Sequence, residues 1–209
     1  MFMTSHRMFA LPAALLGFAA LAACGDGSGG DASSDGGGDD YAAQASVLFP
    51  DDFQAVCSGA TVSRATAYDP AASSHKALYF ATYRDDLLDQ SSNLPGDWTV
   101  QWSPDGDALT AIDLVVCARR TAAQQVKVCD GYEVDNRSTQ NTVRWHTATY
   151  EVSVREATTG TVLGETTMEA TSSNCPMLMS FDGDSDTVDG YASLSDTAVA
   201  DFVRPFIAP

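Results

Sequence analysis

Apolar and polar positions alternate most cleanly over residues 148–156 (ATYEVSVRE). Ala148, Tyr150, Val152 and Val154 fall on one side, and Thr149, Glu151, Ser153 and Arg155 on the other. A period of two over this length predicts a half-buried strand. Thr158-Thr159-Gly160 follows as a short hairpin loop, with Gly160 able to take a left-handed conformation, and a return strand runs from 161 to about 170. Shorter alternations predict three more strands. In WTVQW, Trp98, Val100 and Trp102 share a face, with both tryptophans assigned to the core. In AIDLVV, Ile112, Leu114 and Val116 do so, and Val126 and Val128 begin another strand.

The pattern changes to a helical period at the two ends of this region. In residues 50–58 (PDDFQAVCS), Phe53, Val56 and Cys57 share one face at i, i+3, i+4. Pro50 suits the first turn, Asp51 and Asp52 favour the positive end of the dipole, and Gly59 can end the helix. Near the C-terminus Ser195 caps a helix over 196–204, with Leu194 and Val199 at staple positions and Val199, Phe202 and Val203 as its buried stripe. Pro205 is expected to prevent its continuation. The fold class is therefore mainly β, an antiparallel sheet or β-sandwich with a short helix near each end; α+β is the alternative.

The first 40 residues follow other rules. Residues 1–23 read as a secretory signal: one firm positive charge, Arg7 with His6 beside it, an apolar run from Phe9 to Ala20 apart from Pro12 and Gly17, then small residues. From Phe9 to Ala23 there are 15 residues, whereas a spanning helix needs roughly 20. Leu21-Ala22-Ala23-Cys24 resembles the lipobox of bacterial lipoproteins. That likeness implies cleavage before Cys24 and acylation of its thiol, so that the lipid bilayer becomes a partner. Gly25 rather than Asp follows, which favours the outer membrane where the cell has one. Residues 25–40 (GDGSGGDASSDGGGDD) contain no aromatic or β-branched residue and read as a flexible acidic tether, with an r.m.s. span of about 20–24 Å. Residues 41–209 then form a single domain.

Charge narrows the partners. The whole chain carries −17; loss of Arg7 with the leader leaves 10 basic against 28 acidic groups, or −18. Such a balance repels nucleic acid and anionic headgroups. Of the acids, 23 are Asp, while lysine occurs only as Lys76 and Lys127.

Four cysteines remain beside Cys24, namely Cys57, Cys117, Cys129 and Cys175. In an exported chain they predict two disulfides, for which three connectivities exist. If the strands around Cys117 and Cys129 form a hairpin, both sulfurs lie on its non-core face, which favours Cys117–Cys129 and Cys57–Cys175. A tetrathiolate zinc site would want closer pairs than the eleven-residue gap found here.

Candidate chemistry is sparse. His75, in a polar Ser-Ser-His-Lys loop, and His146, beside Trp145, could each serve a hydrolase with an Asp partner, but structural or solvent roles are the expectation for both. No G-x-S-x-G, S-x-x-K or H-E-x-x-H motif accompanies them. In DGDSDTVDG, Asp182, Asp184 and Asp186 have the alternate spacing of a calcium loop, yet Thr187 and Ser193 stand where an EF-hand needs Gly and Glu. Calcium is the one cofactor this suggests; no other is implied.

Residues 94–207 resemble an uncharacterised family of exported bacterial domains. The matching pieces are LPGDW, DLVVCARR with a second Cys soon after, ATYEVSVREATTGTVLGET, NCP and LSDTAVADFVRPFI. The resemblance implies a stable extracytoplasmic module and transfers no catalytic residue. The expected function is a lipid-anchored envelope lipoprotein that binds a protein, peptide or polysaccharide without catalysis. An envelope hydrolase and a calcium-dependent structural module are the alternatives.

Overall fold

Apolar runs without alternation form the centre of the sheet. β1 (Ala77–Thr82) and the first five residues of β3 (Leu114–Cys129) bury nearly every side chain, as a strand covered on both faces must. Leu114, Val116 and Ala118 join one apolar cluster with Ala77 and Tyr79; Val115 and Cys117 join another with Leu78 and Phe80. β1 and β3 pair in parallel, with Ala77 opposite Leu114. β2 (Leu88–Ser91) lies antiparallel on the outer side of β1. β6 (Thr142–Glu156) runs antiparallel along all of β3. β7 (Val162–Ala170) pairs with the second half of β6, antiparallel, and β8 (Thr187–Tyr191) with its first half, parallel. The sheet order is β2-β1-β3-β6-β7 with β8 also on β6. β4 (Glu133–Val134) and β5 (Arg137–Ser138) make a separate hairpin whose turn residues Asp135 and Asn136 have positive φ.

The computed structural model describes residues 47–83, 87–104, 107–183 and 185–208, all within one unit that spans 40–209. The expected leader, Cys24 and the tether lie outside the described residues. The domain is mainly β with a short helix near each end, as the hydrophobic pattern predicts. Among the described residues the only strands outside the main sheet are the β4–β5 hairpin, and the main sheet is mixed rather than antiparallel throughout. Its two faces are covered by different helices.

α1 (Pro50–Gln54) continues as a 3-10 turn, Ala55–Ser58. Asp52 Oδ2 accepts the Phe49 N–H at 2.8 Å, and Gly59 ends the segment at φ 89°. Phe53, Val56 and Cys57 pack with Leu78, Phe80 and Val115. α2 (Asp196–Ile207) starts where Ser195 Oγ accepts the Ala198 N–H at 3.1 Å. Its Val199, Ala200, Val203 and Ile207 close the opposite face over Leu114, Val116, Val152 and Val154. The hairpin after β6 also follows expectation: Ala148, Tyr150, Val152 and Val154 are buried, and Gly160 takes φ 71°. Ser153, expected outside, is buried as well, because this half of β6 too has cover on both sides.

Several expectations are corrected. The stretch from Cys117 to Cys129 is one continuous strand, not a hairpin. Residues 118–128 (ARRTAAQQVKV) hold no Gly, Pro, Asn or Asp to turn on. Twelve residues of strand (129 minus 117) separate the two sulfurs by about 40 Å at 3.3 Å per residue, far beyond the reach of a disulfide. The bridges are instead Cys57–Cys117, fastening α1's turn to β3, and Cys129–Cys175, fastening the far end of β3 to the loop after β7.

Ile112 does not share a face with Leu114 and Val116. A 3-10 turn at Ala108–Ala111 breaks the alternation, and Ile112 joins the α1 side. WTVQW is no strand: Trp98 follows a turn in which its N–H bonds Pro95 O at 2.9 Å. Trp98 is core, but Trp102 is 42% exposed and stacks on Phe49 at 5.7 Å. Pro205 does not stop α2, which continues through Phe206 and Ile207. Proline costs the helix the bond to the Asp201 carbonyl; burial of Ile207 at 2% exposure and the Ala208 N–H to Arg204 O bond offset that loss.

Candidate functional site

The two histidines expected in a loop and at a strand entrance have opposite fates. His75 lies directly before β1, where the chain passes beneath the end of α2. Its side chain is fully buried, its ring sits 4.6 Å from that of Tyr68, and its Nδ1 is 2.5 Å from Asp113 Oδ2. The Asp113 carboxylate also accepts the Lys76 N–H at 2.9 Å, and the His75 N–H donates to Ile207 O at 3.0 Å. Asp113 thereby joins three pieces: the segment before β1, the start of β3 and, through His75, the last turn of α2. His75 Nε2 is buried without a hydrogen-bond partner among the described residues. Of the two roles expected for it, structural or solvent, His75 takes the structural one, as a latch in the core.

His146 lies in β6 opposite Tyr191 of β8, its ring 5.0 Å away. Two register positions earlier, Arg144 forms a two-pronged pair with Asp189, Nε to Oδ1 at 2.7 Å and Nη2 to Oδ2 at 2.6 Å. His146 Nε2 stands 2.9 Å from the same Oδ1. Parallel pairing of β6 and β8 produces this cluster, because it sets Asp189 beside both i and i+2 of the neighbouring strand. The hydrogen bond from Arg144 holds the Asp189 carboxyl below the usual carboxylate range, with His146 adding to the effect against partial desolvation. A depressed folded pKa contributes stability that is complete above the unfolded value of about 4 and lost as pH falls through the depressed one. Asp189→Asn is therefore expected to be slightly less stable than the parent at pH 7. Urea midpoints of the two should converge as pH is lowered below about 4, and a gap that persists there counts against the assignment.

Beside this cluster a cleft of about 400 Å³ opens between the sheet and the loop that follows β7. Its sheet side carries Thr82, Trp145, Tyr150 and Tyr191; its loop side carries Pro176, Leu178, Met179 and Ser180. Rigid supports hold both. Tyr150 OH donates to Ala192 O at 3.0 Å, Trp145 Nε1 to Ser172 O at 3.0 Å, and Tyr132 OH to Pro176 O at 3.1 Å. The Cys129–Cys175 bridge anchors the loop one residue before Pro176. Arg120 lies over the Tyr191 ring, 3.6 Å from its centroid. Burial pushes the phenol of Tyr150 above its ordinary range, with Arg120 acting in the other direction. A second cleft of about 170 Å³, which reaches Gln90, Asn93 and Leu194, shares Thr82, Tyr83, Tyr150 and Ser193 with the first. The two form one trough.

Sequence reasoning missed this trough. Tyr83, Tyr150 and Tyr191 are scattered along the chain, and only the pairing of β1, β3, β6 and β8 assembles them. The acidic segment that suggested calcium is divided: Asp182 is exposed, Asp184 lies outside the described residues, and Asp186 uses its main chain against Asn141 and Thr142. From Thr187 onward the segment is β8 rather than loop. Among the described residues no three His, Cys, Asp or Glu side chains are grouped to hold a metal ion, and no helix is long and apolar enough to cross a membrane. No family model, curated protein or solved structure matches the chain. The likeness to exported bacterial domains thus rests on the sequence motifs alone.

Proposed function

We propose that this chain is a lipid-anchored lipoprotein of a bacterial envelope whose folded domain is a non-enzymatic binding module, with the trough as its ligand site. The observation that carries the binding reading is the trough itself, a concave mixture of aromatic and hydroxyl or amide side chains on a disulfide-braced frame. The Leu21-Ala22-Ala23-Cys24 order supports the anchor. Two disulfides support an oxidising compartment. Two or three acyl chains on Cys24 would hold the molecule firmly, since each buried methylene is worth about 0.8 kcal/mol.

The hydrolase reading has one observation in its favour, His146 Nε2 within 2.9 Å of an Asp189 that lines the cleft. That carboxylate is already held by Arg144, and among the described residues His146 makes no hydrogen bond to a Ser, Thr or Cys nucleophile. Binding is the better account. The anchor is tested by feeding cells a labelled fatty acid: the parent should carry label on a mature chain beginning at Cys24. Cys24→Ser should lose essentially all label and keep its leader. Undiminished label on the variant overturns the anchor.

A further inference from the structure

We infer that the loop after β7 and the β4–β5 hairpin together dock a basic amphipathic polypeptide segment, an interaction surface additional to the trough. The two enclose a groove of about 520 Å³. Met177, Leu178 and Val134 line it at 93%, 89% and 39% exposure. One exposed apolar side chain is ordinary, but three along a single groove mark a contact surface. Tyr132 and Phe181, their rings 5.1 Å apart, also line the groove and pack against the core cluster beneath α2. The frame is braced: Cys129–Cys175 fastens the loop to β3, and Tyr132 OH donates to Pro176 O at 3.1 Å.

Charge selects the occupant. Asp130 and Glu133 line the groove, and the exposed Asp135 and Asp182 each follow a lining residue directly. Of the neighbouring bases, Arg137 stands across the hairpin from Val134, and Lys127 is engaged with Ser173 O. In a chain of net −17, a segment that sets lysine or arginine beside its apolar residues is attracted. A second copy is disfavoured, because in a two-fold contact the patch meets itself and Asp130 and Glu133 face like charge. An anionic lipid surface is repelled for the same reason. The apolar part selects the form. Methionine side chains such as Met177 and Met179 adapt to irregular apolar surfaces. A helix laid in the groove offers apolar residues at i, i+3, i+4 and i+7 to them and its basic residues to the acidic rim.

The test uses the full-length lipidated protein in phosphatidylcholine nanodiscs, with empty discs as the reference. The probe is a labelled amphipathic helical peptide of about 18 leucine and lysine residues; its control carries glutamate for every lysine. Anisotropy reads binding, and the rate at which hydrogen peroxide oxidises Met177, followed by mass spectrometry, locates it. The lysine peptide is expected to bind above empty discs with Kd between about 1 and 100 μM and to slow Met177 oxidation. Raising NaCl from about 50 to 500 mM should weaken it by about fivefold or more. The glutamate peptide should not bind. The Met177→Ser, Leu178→Ser double variant, which changes only exposed side chains, should weaken the lysine peptide by about tenfold or more. Asp130→Asn, Glu133→Gln should weaken it by about threefold or more. Val162→Thr, at an exposed apolar residue of β7, should leave it unchanged. Absence of binding up to about 1 mM overturns the inference, as does equal binding of both peptides or binding that the double variant leaves intact. If Met177 already resists peroxide in peptide-free discs, lipid or a second copy covers the groove instead, sedimentation tells which, and the inference falls.

Discussion

Asp113→Ala is expected to lower the unfolding free energy by about 3–5 kcal/mol, the range for removing one partner of a buried pair. The deleted carboxylate accepts from His75 Nδ1 and from the Lys76 N–H, and the residue is only 6% exposed. Alanine leaves the buried His75 donor and the part-buried Lys76 N–H without that acceptor, at about 1–3 kcal/mol for the buried group and less for the other. The loss spreads because His75 also holds the Ile207 carbonyl through its own N–H, so the last turn of α2 should loosen with it. Hydrogen exchange there should rise alongside the fall in urea midpoint. Asp113→Asn, which keeps an acceptor for the Lys76 N–H, should lose less. A deficit below about 1 kcal/mol in the alanine variant would remove the latch from the account.

The second large effect is expected from the Cys57→Ala, Cys117→Ala double variant. With the cysteines 60 positions apart, loop-closure entropy predicts a loss of about 4 kcal/mol. Both cysteines are buried, at 4% and 2% exposure, among Phe53, Val56 and Phe80, so the smaller side chains also leave unfilled space. The Cys129–Cys175 bridge has a similar separation of 46 positions, but only Cys129 of that pair is buried while Cys175 is exposed, so its removal opens a smaller void. The first double variant should therefore fall further in guanidinium midpoint than Cys129→Ala, Cys175→Ala. Non-reducing peptide maps should show Cys57 joined to Cys117. A Cys117–Cys129 fragment would contradict the long β3.

The two latches concern opposite faces of one sheet, which explains why sequence patterns located some elements well and others badly. Alternation over Ala148–Val154 was readable because that face is buried beneath α2 in simple order. Around Leu114–Ala118 the pattern put Leu114 and Val116 on one face correctly, but a strand covered twice also buries Val115 and Cys117 on the other, which alternation does not show. The same double cover undid the parity argument for Cys117, whose outward side is itself core. The polar second half of β3 looked like a place for a turn. It is a strand because β6 pairs with it throughout and no residue there favours turning.

From the amino-acid order alone follow the features that depend on neighbours within a few positions: the Pro50 start and Gly59 stop of α1, the Ser195 cap of α2 and the Gly160 loop. Each is governed by local dihedral preference or by a short hydrophobic period. Only the tertiary structure decided which cysteines meet, that His75 is interior, that Asp189 faces Arg144 and His146, and that tyrosines from β8, β6 and the end of β1 share one trough. Those outcomes turn on which strands lie side by side and in what register. Pairing of that kind joins residues dozens of positions apart, which no local period encodes.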